Sequence, residues 1–129
     1  MKKVLKMVAI LFLFQSFQCE EDVVERNQAT ELAQLQNEKQ VILEYVASIP
    51  CEATIGCDYM ALGSKPCGGP WEYLVYSNAV DVAYLTDLVT TYNSHEAEYN
   101  ETYDIYSDCA VVNPPQNVGC IDGVCVVIP

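Results

Sequence analysis

The chain has 129 residues, about half of them apolar, with eighteen acidic side chains against six basic ones and a net charge of −12. Such an acid excess excludes binding to nucleic acid or anionic lipid through protein charge, because both need clusters of Lys and Arg. The length allows one domain with a modest core, which gains from crosslinks.

Residues 1–18 read as a secretory signal. Lys2, Lys3 and Lys6 form a positive start, and Val8 to Phe14 is an unbroken apolar run. The run is too short to span roughly 30 Å of hydrocarbon as an anchor. With these residues removed, Arg26, Lys39 and Lys65 face all eighteen acids, which leaves a formal charge of −15. Solubility accounts for that charge, and attraction to a basic partner or a divalent cation is the sharper use of it. Residues 19–27 are acidic and polar, a tether without a core pattern.

Cysteine parity bears on the signal end. The chain holds Cys19, Cys51, Cys57, Cys67, Cys109, Cys120 and Cys125, and an odd count in an exported protein needs an explanation. If Cys19 is lipidated or is cut away with the signal, six cysteines remain for three disulfides, the default in an oxidising compartment. Six cysteines allow fifteen pairings, and spacing does not choose among them. "SFQCEED" (residues 16–22) resembles the signal end of a bacterial lipoprotein, and its acidic run is similar to the surface-export signal of Bacteroidota lipoproteins. The resemblance implies a lipid on Cys19 and a place at the outer membrane or cell surface. Without the lipid, the protein would be secreted or periplasmic.

The domain proper is expected over residues 28–129. Leu32, Leu35, Val41, Ile42, Tyr45, Val46 and Ile49 give one apolar face at helical spacing, with "NEKQ" (37–40) a possible break. Ile49-Pro50 ends that helix, because the residue before Pro avoids the helical region. A Cys-rich stretch follows. "CDYMAL" (57–62) and "WEYLVYS" (71–77) carry strand-forming residues, and the second is apolar on both faces, as in a covered strand. Between them lies "SKPCGGP" (64–70), a turn composition that is expected to launch Trp71 into the core.

Asn78 with Asp81 three residues on suggests a helix start. Val82, Leu85, Leu88, Val89, Tyr92, Glu96, Tyr99 and Tyr103 then repeat at three and four and continue a helix to about residue 100, its second half more polar. "IYSDCAVV" (105–112) reads as a strand and "NPPQN" (113–117) as a turn. "VGCIDGVCVVI" reads as a hairpin about Asp122-Gly123, a favoured two-residue turn. Cys120 and Cys125 would then stand opposite each other, able to bond across it. The order predicts an α+β fold, a small antiparallel sheet with two packed helices, braced by disulfides.

No catalytic set assembles. His95 is the single histidine, in a polar stretch, and reads as a solvated surface residue. Neither C-x-x-C nor a His pair occurs, which argues against structural zinc, and no calcium-loop pattern is present. Glu96, Glu98, Glu101, Asp104 and Asp108 read as a solvated acidic face. Asn100-Glu101-Thr102 is a glycosylation sequon, relevant to a eukaryotic source alone. No cofactor motif occurs.

The stretch that could act is the loop of Gly63, Ser64, Lys65, Pro66, Gly68 and Gly69. Braced by Cys67, it could present Lys65 to a partner's cleft at little entropic cost. "KPCGGPW" (65–71), "YN" (99–100), "SDC" (107–109) and the closing "GC", "DG" and "C" together resemble small Cys-containing lipoproteins and secreted proteins of Bacteroidota, over residues 51–125. That resemblance implies an exported, intact domain and no particular reaction. The expected role is non-catalytic binding of a protein or small ligand, with membrane contact through the lipid anchor alone. A protease-inhibitor-like role through Lys65 and a structural role in the envelope are the alternatives. No oligomeric state follows from the sequence.

Overall fold

The computed structural model describes residues 27–129; the signal, Cys19 and the tether up to Arg26 lie outside the described residues. The domain is α+β: helix α1 (Gln28–Ala47), strands β1 (Cys57–Leu62) and β2 (Glu72–Ser77), helix α2 (Val82–Thr102), and strands β3 (Asn117–Ile121) and β4 (Val124–Ile128).

Helix α1 runs unbroken through "NEKQ". Gln34 and Gln40 donate to Glu38 and Glu44 one turn on, which supports the exposed face across that polar stretch. Asn27 caps its start by accepting from the Thr30 N–H. Its end is closed by Ser48, whose hydroxyl donates to the Tyr45 carbonyl just before Ile49-Pro50. Helix α2 starts later than the sequence suggests. Asp81, not Asn78, is the N-cap, accepting from the Tyr84 N–H. Asn78 is engaged elsewhere, since its amide donates to the Ile55 carbonyl and its N–H to the Gly56 carbonyl. The helices run antiparallel. Tyr45 meets Tyr84 edge to face at 5.0 Å near one end, and Glu38 meets His95 further along.

The strands form two separate antiparallel pairs, β1 with β2 and β3 with β4. In the first, Cys57 lies opposite Ser77 and Leu62 opposite Glu72. In the second, Asp122 and Gly123 both take positive φ, 51° and 81°, the backbone that a two-residue hairpin turn of matching twist requires. Cys51–Cys120 and Cys57–Cys125 tie this ribbon to the start of β1, and the Cys51 N–H donates to the Gly123 carbonyl. The expected strand over 105–112 is absent; the segment is irregular and turns through positive φ at Cys109.

The core lies between the helices and the β1–β2 pair. Ile42, Leu62 and Leu85 are fully enclosed, with Leu35, Leu74, Tyr76, Val80, Val89, Tyr92 and Tyr99 around them. Trp71 departs from expectation: it precedes β2, remains 38% exposed and is not part of this core. On the ribbon, Ile121, Val124, Val127 and Ile128 stay exposed. No helix among the described residues is long and apolar enough to cross a membrane.

Leu85 is 0% exposed, at the centre of the packing. Leu85→Ala is expected to cost about 2–5 kcal/mol through lost burial and the cavity left behind. Urea unfolding followed by circular dichroism measures it, and a loss below about 1 kcal/mol would place the core elsewhere.

Candidate functional site

The loop between β1 and β2 closes on itself before it meets anything else. The Lys65 N–H donates to the Gly69 carbonyl at 2.8 Å, the Gly68 N–H to the Lys65 carbonyl at 2.9 Å, and the Trp71 N–H to the Leu62 carbonyl at 3.1 Å. Gly68 and Gly69 hold φ of 91° and 83° with open space where a Cβ would stand, so backbone conformation alone requires glycine there. Gly63 differs. Its φ is 87°, and a Cβ would meet Trp71 Cδ1 at 2.7 Å. The indole therefore lies against the loop, not in the core.

Helix α2 holds the loop's inner side. Asn93 Oδ1 accepts from the Gly63 N–H at 2.7 Å, Glu96 Oε2 from the Ser64 N–H at 2.5 Å, and the Asn100 amide donates to the Ser64 carbonyl at 2.7 Å. Positions 93, 96 and 100 fall on one helical face. Glu96 also accepts from the Tyr92 hydroxyl at 3.1 Å. Burial first, and then the Glu96 charge, push the Tyr92 phenol well above its ordinary range. Glu96 is thus half-buried and engaged, which removes it from the acidic face on which the sequence places it. Asn100 is 8% exposed and committed to Ser64, so the sequon has no accessible acceptor in the folded domain.

The loop's cation points inward. The Lys65 side chain is only 6% exposed, against the expectation of a projecting charge. Its Nζ donates to the Ala110 carbonyl at 2.7 Å, lies 3.6 Å from Asp108 Oδ1 and sits 5.0 Å from the centre of the Trp71 ring. Burying an ammonium is costly unless donors and charge are met, and these three neighbours meet them. The Cys67–Cys109 disulfide fixes the same two segments together.

What remains outward is the tip, Pro66 to Gly69, and a groove of about 530 Å3 beside it. Ser64, Lys65, Pro66 and Gly68 form one wall. Asn100, Glu101, Asp104 and Tyr106 form the other, and Tyr106 is 90% exposed. A second groove, of about 340 Å3, lies between the helices beside His95, Glu31, Glu98 and Tyr99. His95 is exposed and faces Glu38 at 3.0 Å.

All six cysteines of the domain are paired, as Cys51–Cys120, Cys57–Cys125 and Cys67–Cys109. Cys120 and Cys125 stand opposite in the ladder but bond outward to the β1 side instead of to each other. Asn93 and Asn100 are positioning residues that sequence reading missed, and Glu96 stood on the helical repeat without this role; their three- and four-residue spacing is the available signal. No family model matches this chain, and no curated protein or solved structure is similar enough to count as a match.

The hydrogen bond from the Ala110 N–H, and next the Lys65 ammonium, hold the Asp108 carboxyl below its ordinary 3.8. A lowered carboxylate contributes stability that is present above the ordinary value and lost as pH falls through the lowered one. The stability gap between wild type and Asp108→Asn should therefore be constant at neutral pH and close below about 3.8. Urea midpoints across pH 2–7 check this, and a gap that persists to the lowest pH would remove the charge contribution.

Proposed function

We propose that this is an exported, non-catalytic binding domain, tethered through a lipid on Cys19 in the manner of Bacteroidota lipoproteins, whose ligand carries a cationic group. One observation carries the ligand's sign: Lys65 is turned inward and paired, so the groove beside the loop offers the carboxylates of Glu101 and Asp104 and the ring of Tyr106. An ammonium or guanidinium in that groove could meet both charge and an aromatic face. The net acid excess draws such a ligand in at long range.

Insertion of Lys65 into a partner's cleft, as an inhibitor would require, is disfavoured. The ammonium would have to leave the Ala110 carbonyl, Asp108 and Trp71 together. A structural envelope role has no particular observation in its favour.

A trivalent polyamine serves as the probe, followed by titration calorimetry. Glu101→Gln with Asp104→Asn should weaken its binding about fivefold, since two half-screened charges at contact range contribute about 1 kcal/mol together. Equal affinity for wild type and variant would retire the groove as the cation site. The anchor has its own test: Cys19→Ser should move the protein from the detergent phase to the medium. Unchanged partitioning would count against lipidation, because a chain of this charge is repelled by anionic lipid.

A further inference from the structure

The sulfur of Cys51 lies beside a disulfide to which it does not belong. Cys57 is bonded to Cys125, and the sulfurs of Cys51, Cys57 and Cys125 all lie within 4.8 Å of one another. Cys51 itself is bonded to Cys120, which stands opposite Cys125 in the β3–β4 ladder. The two ends of that bond differ in access: Cys51 is 5% exposed, whereas Cys120 is half-buried. A thiol from solution therefore meets the bond at Cys120 and expels Cys51 as a thiolate.

We infer that the two disulfides holding the ribbon form an exchange relay. Cys51 is its internal nucleophile, and a thiol from solution converts Cys51–Cys120 and Cys57–Cys125 into Cys51–Cys57 and Cys120–Cys125. The steps balance without an oxidant. The incoming thiolate bonds to Cys120 Sγ as the Cys51 sulfur leaves with the electron pair. Cys51 then bonds to Cys57 Sγ, and the sulfur of Cys125 leaves. Cys125 finally bonds to Cys120 Sγ and returns the incoming thiolate to solution. Three S–S bonds form, three break, and the thiol is recovered.

Each step uses parts that the step before leaves in place. When Cys51 is released, Cys57–Cys125 still ties the ribbon to β1, and the Cys51 N–H still donates to the Gly123 carbonyl. The nucleophile thus meets an intact disulfide at short range, held there by the fold. Attack at Cys57 is the productive direction, because it puts the leaving thiolate on β4. There Cys125 is directly opposite Cys120. Opposed Cα atoms in an antiparallel ladder are about 4.5–5.5 Å apart, inside the disulfide range of about 4.4–6.8 Å. The core of α1, α2, β1 and β2 contains none of the four cysteines, so it survives the exchange. What changes is the ribbon: two bonds join it to the domain before exchange and none after, so a thiol acts as a release for β3–β4. The inference does not depend on the cation groove.

The test builds the first intermediate into the full chain. Cys19→Ser keeps that thiol out of the exchange, and Cys120→Ser leaves Cys51 free beside Cys57–Cys125. After an acid quench and alkylation, cleavage at Glu52 separates Cys51 from Cys57, and mass spectrometry of the peptides locates the free thiol. Cys125 should become alkylated to an extent comparable with Cys51, with a Cys51–Cys57 bond formed. The rate should not change with urea below the unfolding transition. A thiol that stays on Cys51, or passes to Cys57 alone, would overturn the inference. So would a rate that climbs with urea, which would mean exchange through the unfolded chain. A second measurement needs no substitution in the ribbon. The Cys19→Ser protein, incubated with a monothiol and cleaved at Glu52 and Asp122, should yield both Cys51–Cys57 and Cys120–Cys125 peptides, and their absence at equilibrium would count equally against the relay. The third disulfide is the control. Cys67→Ser should leave its label on Cys109, and a label spread over the other cysteines would mean general scrambling and no relay.

Discussion

The buried ammonium of Lys65 governs how the loop between β1 and β2 is built. A charge withdrawn from water must find partners, or its burial costs several kcal/mol. Here the partners come from far along the chain: a carbonyl at Ala110, a carboxylate at Asp108 and the face of Trp71. Meeting that demand constrains residues 107–110. A regular strand would alternate its side chains and commit its carbonyls to a ladder. The segment instead turns through positive φ at Cys109, delivers a carbonyl and a carboxylate to one cation, and bonds to Cys67. The loop and this segment are one unit, each ordered by the other.

A second constraint is size. The core involves two helices and one strand pair, and the β3–β4 ribbon contributes no residue to it. Crosslinks offset that deficit. The bonds from Cys51 and Cys57 close separations of 69 and 68 residues, and the third closes 42. In the chain-entropy account a loop of such length is worth about 4 kcal/mol of lost freedom in the unfolded chain, less for the second of two nearly parallel bonds. Those two are near duplicates topologically, so their combined value lies more in fixing the ribbon's place than in restricting the unfolded chain. The two bonds lie side by side for that reason, with the sulfurs of Cys51, Cys57 and Cys125 within 4.8 Å of one another: two attachment points are the least that stop the ribbon from pivoting.

Much of this was legible in the sequence. Helix α1 and the Asp122-Gly123 hairpin followed from periodicity and turn chemistry, signals that act over a few residues. The α+β class followed from their order. The failures have a common cause. Trp71 and Lys65 were assigned by what each side chain ordinarily does, apolar inward and charged outward. Gly63, which leaves room for the indole against the loop, and Ala110, which offers a carbonyl, reverse both assignments. Neither partner carries a local signal. "IYSDCAVV" has strand composition, but its fate is set by a lysine some forty residues earlier. Asn78 had capping character, yet the chain already uses it to tie down residues 55 and 56. Pairings at that distance, like the choice among fifteen disulfide patterns, depend on the fold as a whole.

Turning Lys65 inward also decides the character of any recognition at this corner. A projecting lysine would have been a point of positive charge in a negative field, suited to an acidic partner yet opposed by the rest of the molecule. With the ammonium enclosed, the local groove and the global charge have the same sign. The global field acts over roughly a Debye length, about 8 Å in physiological salt, and raises the encounter rate of any cation without choosing among them. Selection has to come from the groove, where the backbone of the Pro66–Gly69 tip and the Tyr106 ring limit what fits beside Glu101 and Asp104. Added salt would weaken the first effect more than the second. A ligand recognised here would lose association rate faster than it lost residence time, whereas one held by charge alone anywhere on the surface would lose both.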